Sequence, residues 1–114
     1  MKLNEMQEII KKINHFRDER NWRQYHNEKD LALSISLEAA ELLELFQWKT
    51  SEEVIHSKQE RLAEELADVL IYSYMLADNL GFNVNDIIAR KLEKNAIKYP
   101  VEKCRNSNKK YDKL

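Results

Sequence analysis

Leu3, Met6, Ile9, Ile10, Ile13 and Phe16 recur at three- and four-residue steps with charged residues between them, which predicts an amphipathic helix from residue 3 to about 20. Residues 21–27 have no clean period and hold two large rings, Trp22 and Tyr25, in a polar connector. Such rings need burial, either in packing between helices or as walls of a pocket. A second helix is predicted from about residue 30 to 48, and Thr50 or Ser51 opens a short capped turn or helix through Val54 and Ile55. A third runs from about 57 to 80, with Gly81 suited to the left-handed residue after its end. Asn85 is the expected N-cap of a fourth helix over about 86–99, which Pro100 stops. Residues 101–114, rich in lysine and asparagine and without strong period, read as a tail that orders only against a surface. The expected fold is all-α, a four-helix-type bundle forming one domain over residues 1–114.

Projected at about 100° per residue, Leu31, Ile35, Leu42 and Leu45 form the buried stripe of the second helix. Glu38 falls inside that stripe and Glu41 lies on its flank. On the third helix the stripe is Leu62, Leu66, Val69, Ser73, Leu76 and Leu80, with Glu65, Asp68 and Tyr72 on a neighbouring flank. Each acidic pair, Glu38/Glu41 and Glu65/Asp68, has i,i+3 spacing, which stacks like charges on one side of a helix at a cost in repulsion and solvation. Antiparallel packing would gather four carboxylates around one space. An oxygen-rich set of that kind suits Mg²⁺, or Mn²⁺, bound together with phosphate. The plainer alternative is a solvated acidic flank with Glu38 paired to an arginine or lysine. Leu33, Leu37, Leu43 and Ile71 fall outside the stripes and need cover from other helices or another subunit.

One glycine and one proline in 114 residues leave little material for hairpins or barrels, in keeping with helices. Nineteen basic and twenty acidic residues give a formal charge of -1, which supplies no general attraction to nucleic acid. No apolar run is long enough to cross a membrane and the start lacks a secretory apolar core, so the expected location is cytoplasmic. The single Cys104 reads as a free thiol.

Other residues carry weaker signals. On the fourth helix Asn95 lies within a stripe of Ile88, Leu92 and Tyr99, and Lys91 and Lys98 adjoin it. The lysines are either salt-bridge partners or phosphate contacts, with Asn95 available to a base or sugar hydroxyl. His26 is either a locally bonded loop histidine or a donor to phosphate or stacking partner of a base. Glu53 and His56 make one Glu-x-x-His unit, but a bundle di-iron site needs two, so a ferritin-like oxidase is disfavoured. One glycine rules out Walker and Rossmann loops.

The stretch Glu38-Ala-Ala-Glu41-Leu-Leu-Glu44-Leu-Phe-Gln-Trp48 followed by Glu64-Glu65-Leu-Ala-Asp68-Val-Leu-Ile-Tyr72 resembles the all-helical MazG-like nucleotide pyrophosphohydrolases, especially their small dCTP pyrophosphatase branch. The likeness extends to Glu19-Arg-Asn-Trp22-Arg-Gln-Tyr-His26 and to Lys91-Leu-Glu-Lys-Asn95-Ala-Ile-Lys-Tyr99-Pro100, so it covers most of the chain. It implies Mg²⁺-dependent cleavage of a nucleoside triphosphate to monophosphate and pyrophosphate, in a homotetramer or homodimer whose subunits share sites. Glu38, Glu41, Glu65 and Asp68 would be metal ligands, with Glu41, Glu38 or Asp68 beside the attacking water. Trp22, His26, Trp48 and Tyr72 would surround base or phosphates, and Lys91 and Asn95 would complete the nucleotide site. The favoured substrate would be dCTP or a modified pyrimidine relative, in a housecleaning role. Ser107, Lys110 and Tyr111 resemble the family's tail, where Asn106 replaces a common glycine. The competing reading is a catalytically silent helical module whose acidic face binds a basic partner.

Overall fold

The computed structural model describes residues 3–114, which divide after Gly81 into two compact units. Six α-helices and two short 3-10 turns occur among the described residues. The all-helical class therefore holds, with more elements than a plain four-helix count.

In the first unit, α1 (Glu5–Glu19) starts at Asn4, whose side chain accepts from the Gln7 amide at 2.8 Å while Gln7 accepts in return from the Asn4 amide at 3.0 Å. It ends in a Schellman turn. Asn21 takes the left-handed conformation (φ 51), its amide donates to the Asp18 carbonyl, and the Trp22 amide donates to the Arg17 carbonyl at 2.9 Å. This turn fixes where the connector leaves the helix. A 3-10 turn (Arg23–Tyr25) follows, and Asn27 caps α2 (Glu28–Glu44) by accepting from the Asp30 amide at 2.9 Å.

The second helix is shorter than its sequence pattern suggests. After Glu44 the chain passes through turns, with Leu45 still buried and Trp48 in the left-handed region (φ 62). Thr50 and Glu53 then form a capping box for α3 (Ser51–Ser57), which buries Val54 completely. Glu53 is thereby committed to the cap, which removes the Glu-x-x-His reading on physical grounds. The long α4 (Gln59–Asn79) closes at Leu80, and Gly81 (φ 71) occupies the left-handed position expected of it.

Helices α2 and α4 form the main packed pair. Leu31 clusters with Met75 and Ile13, Glu38 meets Asp68 and Glu65, and Leu45 shares a hollow with Lys58 and Arg61. Positions advance along α2 as they retreat along α4, so the pair is antiparallel. The α2 stripe is as predicted, and on α4 Leu62, Val69, Ser73 and Leu76 of the expected stripe are half-buried, so the correction there concerns its other two members. Leu66 and Leu80 are exposed, and the side facing the rest of the unit carries Glu65, Asp68, Tyr72 and Met75. The acidic flank thus shares the inward-facing side with the rest of the stripe. Ile71 packs on the core of its own unit, whereas Leu33, Leu37 and Leu43 remain exposed.

In the second unit, α5 (Val84–Lys98) is capped by Asn83, not Asn85. The Asn83 side chain accepts from the Asp86 amide at 3.0 Å, and the earlier start places Val84 in the first turn, where it is buried. Pro100 precedes a one-turn α6 (Val101–Cys104), and the tail contains a 3-10 turn (Tyr111–Lys113). The surface this tail uses is Tyr99: its ring meets Tyr111 edge-on at 6.1 Å, with Lys98 Nζ 4.9 Å from the Tyr111 centroid. Asn106 takes φ 66, a conformation asparagine tolerates better than most non-glycine residues, so the replacement of glycine there is accommodated. No helix among the described residues is long and apolar enough to cross a membrane.

Candidate metal and nucleotide site

Glu38 on α2 and Glu65 and Asp68 on α4 each bring one carboxylate oxygen within 4.8 Å of the others, all from half-buried side chains. One oxygen of Glu38 and one of Glu65 are buried without a hydrogen-bond partner. The other Glu65 oxygen receives only a long contact of 3.5 Å from Arg61, one turn away. Buried carboxylates left in this state cost free energy unless a cation or proton answers them. Burial, a hydrogen bond with Glu41 and the charges of Glu41, Asp68 and Glu65 together push the Glu38 carboxyl up to about 7. The alternative in which Glu38 pairs with an arginine or lysine is not what forms: no ion pair to it occurs among the described residues. Glu41 itself is exposed and lies outside the tight three-residue set, close enough to bond Glu38. The donor set is all oxygen, partly desolvated and undersatisfied, which fits a hard divalent cation.

A cavity of about 350 Å³ opens beside this cluster. Lys12, Ile13 and Phe16 of α1 line one side, Ile71, Tyr72 and Met75 of α4 another, and Trp22 and His26 of the connector the remainder. Asp68 lines it as well, so the acidic cluster and the aromatic cavity are contiguous. Trp22 is held edge-on between Phe16 (5.7 Å) and His26 (6.3 Å), and the Arg20 guanidinium covers the Phe16 ring at 3.8 Å. For Trp22 both readings have a share, since its ring packs on α1 and also walls a pocket, whereas Tyr25 is exposed and lines no part of it. Desolvation, then the charges of Arg17 and Arg23, lower the His26 pKa, so its imidazole is neutral at neutral pH. Burial and the nearby Glu38, Asp68 and Glu41 charges raise the Tyr72 phenol, which stays a proton donor.

Of the residues picked from sequence, Glu38, Glu65, Asp68, Trp22, His26 and Tyr72 are brought together, with Glu41 at the edge. Trp48 is not in the cavity; its side chain is 92% exposed on the turn after α2. Lys91 and Asn95 lie on α5 in the second unit, Lys91 exposed and Asn95 half-buried. Sequence reasoning missed Lys12, Phe16 and Met75 as wall residues. It also missed Arg17, which is 0% exposed. A signal was present, because Arg17 continues the Met6, Ile10, Ile13 spacing as a charge on the apolar stripe.

Antiparallel helices, an oxygen-only cluster at their contact and an aromatic cavity against it define a MazG-like protein: residues 33–114 match the MazG-like family, and the chain belongs to it. Among its relatives, dCTP pyrophosphatase 1 of Homo sapiens is 40% identical over 104 residues, covering 87% of this chain and 61% of the relative. The protein of that name from Mus musculus is 39% identical with the same coverage. The chain thus spans about three fifths of the length of these curated relatives. A crystal structure of a pyrophosphatase from Archaeoglobus fulgidus superposes with a TM-score of 0.82 at 44% identity, covering 88% of this chain and 96% of that one.

Proposed function

We propose that this chain, acting as one domain, hydrolyses nucleoside triphosphates to monophosphate and pyrophosphate, with dCTP or a modified pyrimidine deoxynucleotide as preferred substrate. The observation that carries this reading is the shared position of Asp68, which belongs to both the carboxylate cluster and the aromatic cavity. A ligand with a flat ring and a polyphosphate has both features; a basic protein partner has no use for the cavity. The similarity to dCTP pyrophosphatase 1 and to the Archaeoglobus fulgidus pyrophosphatase supports the same chemistry.

Glu38, Glu65 and Asp68, with Glu41 adjoining, would hold Mg²⁺, for which Mn²⁺ could substitute. A divalent ion there supplies neutralisation of the triphosphate and a more acidic water. The chain's own groups do the rest. Glu41, exposed and at the edge of the set, where it bonds Glu38, is the carboxylate placed to orient and deprotonate a water for attack on the α-phosphorus. Trp22 and Tyr72 offer ring faces to the base, and the neutral His26 offers a hydrogen bond to its edge. Such a reaction suits a housecleaning role, keeping unwanted nucleotides from polymerases.

The same reading includes a homotetramer or homodimer. Exposed Leu33, Leu37 and Leu43 on α2 support it, and in such an assembly the exposed Trp48 is available to a neighbouring copy's site. Sedimentation equilibrium should give a multiple of 13.7 kDa at micromolar protein; the monomer mass would refute this part. Calorimetry with Mg²⁺ and dCTP tests the ligands directly. The enzyme binds both; a silent interaction module binds neither. A competition among dCTP, methylated dCTP, dUTP, dTTP, dATP, dGTP and CTP, scored by kcat/KM, tests the base preference, and a leading purine would overturn it.

A further inference from the structure

Arg17 is fully buried yet lines no part of the cavity, and the reaction outlined above makes no use of it. Its guanidinium is held by amides, with one terminal nitrogen donating to Asn14 Oδ1 at 3.2 Å and the other to Asn79 Oδ1 at 2.9 Å. Asn14 in turn donates to Asp78 at 3.1 Å. Asn79 passes the chain of bonds onward, for its Nδ2 donates to the backbone carbonyl of His26 at 2.7 Å. The last turn of α4 thus grips the connector at the residue whose ring lines the cavity.

The other end of the connector is tied to the same residue. The Trp22 amide donates to the Arg17 carbonyl at 2.9 Å, so Arg17 holds Trp22 through its backbone and His26 through Asn79. Between these ties lies only one 3-10 turn. A buried arginine is costly, the more so here because its Nε has no acceptor, and its two bonded terminal nitrogens are spent on fixing a loop. We propose that Asn79, oriented by buried Arg17, is a positioning residue for nucleotide recognition: it sets the His26 carbonyl, and with it the His26 ring and the Trp22 edge that wall the cavity. The Arg17 charge also contributes to keeping that imidazole neutral. The proposal rests on the nucleotide reading of the cavity.

The discriminating variant is Asn79→Asp. It keeps the acceptor for Arg17, now as a charge-assisted bond, so the helix junction is retained. It removes the N–H that His26 needs and sets a carboxylate oxygen against a carbonyl. Two readouts are taken on the full chain: hydrogen–deuterium exchange of residues 22–27 without nucleotide, and steady-state kinetics with dCTP and Mg²⁺. The expected result is faster exchange in 22–27 alone and a KM raised about tenfold, the scale of one lost buried hydrogen bond, with kcat much less changed. Asn79→Ala, which introduces no charge, should move both readouts in the same direction and serves if the aspartate variant is unstable. Exchange unchanged in both variants overturns the proposal, as does faster exchange with an unchanged KM. A parent protein that turns over no nucleotide refutes the enzymatic reading instead, and unchanged exchange would still overturn the positioning role by itself.

Discussion

Replacing Glu38 by glutamine should make the metal-free protein more stable above neutral pH and leave it unchanged in acid. The carboxyl is pushed up to about 7 in the folded chain from an ordinary value of 4.5, with desolvation the first cause and the Glu41, Asp68 and Glu65 carboxylates following. Between those values the folded protein holds a proton that the unfolded chain has lost, so stability falls as pH rises through the interval and stays low above it. Taken at face value the shift is worth about 3 kcal/mol. Glu38 is only half-buried, and solvent screening reduces this to about 1–2 kcal/mol. For a chain of this length that corresponds to roughly 4–8 °C in melting temperature. The assay is thermal unfolding of parent and Glu38→Gln in EDTA at pH 5 and pH 8. The variant should gain at pH 8 and lose most of that advantage at pH 5. Adding Mg²⁺ at pH 8 should reverse the order, since binding stabilises only the chain that retains the ligand. A variant destabilised equally at both pH values, or stabilised by Mg²⁺ as much as the parent, would show that Glu38 is neither a strained carboxylate nor a metal ligand.

Asp68→Asn and Glu65→Gln should each lower kcat/KM by at least about 100-fold, beyond the roughly 10- to 100-fold that changes to the partners of metal ligands cost, with circular dichroism unchanged; Glu44→Gln, outside the three-carboxylate set, should cost far less. Trp22→Ala should raise the nucleotide KM by roughly 10- to 100-fold, the worth of one base–aromatic stack, while calorimetry shows Mg²⁺ binding intact. Leu31→Ala removes a side chain that is 1% exposed at the α2–α4 contact, and urea unfolding should show a loss of about 2–5 kcal/mol.

The helices were legible because each carries an apolar residue every three or four positions, and so was the anomaly of Glu38, a charge inside an otherwise apolar stripe. The α4 face was legible only in part, through Leu62, Val69, Ser73 and Leu76. That helix has leucines on two sides, and periodicity ranks apolar residues without knowing which side meets a partner; the packing turned Glu65, Asp68 and Tyr72 inward and left Leu66 and Leu80 out. Cap position was ambiguous for a similar reason. Asn83 and Asn85 are chemically equal, and burial of Val84 decided between them. The cavity's outline depends on a Schellman turn at Asn21 and on bonds from Asn79 to His26 across 53 residues, contacts that no local pattern reports. The early exit from α2 that leaves Trp48 exposed is equally a matter of backbone conformation.

Cleavage between the α and β phosphates can be seen most directly by phosphorus NMR of a dCTP reaction. With Mg²⁺ present, the three triphosphate resonances should give way to those of dCMP and pyrophosphate in equal amounts, without orthophosphate, and EDTA should stop the conversion. Formation of dCDP and orthophosphate, or an unchanged spectrum across the nucleotide set, would show that the chain is not a pyrophosphohydrolase.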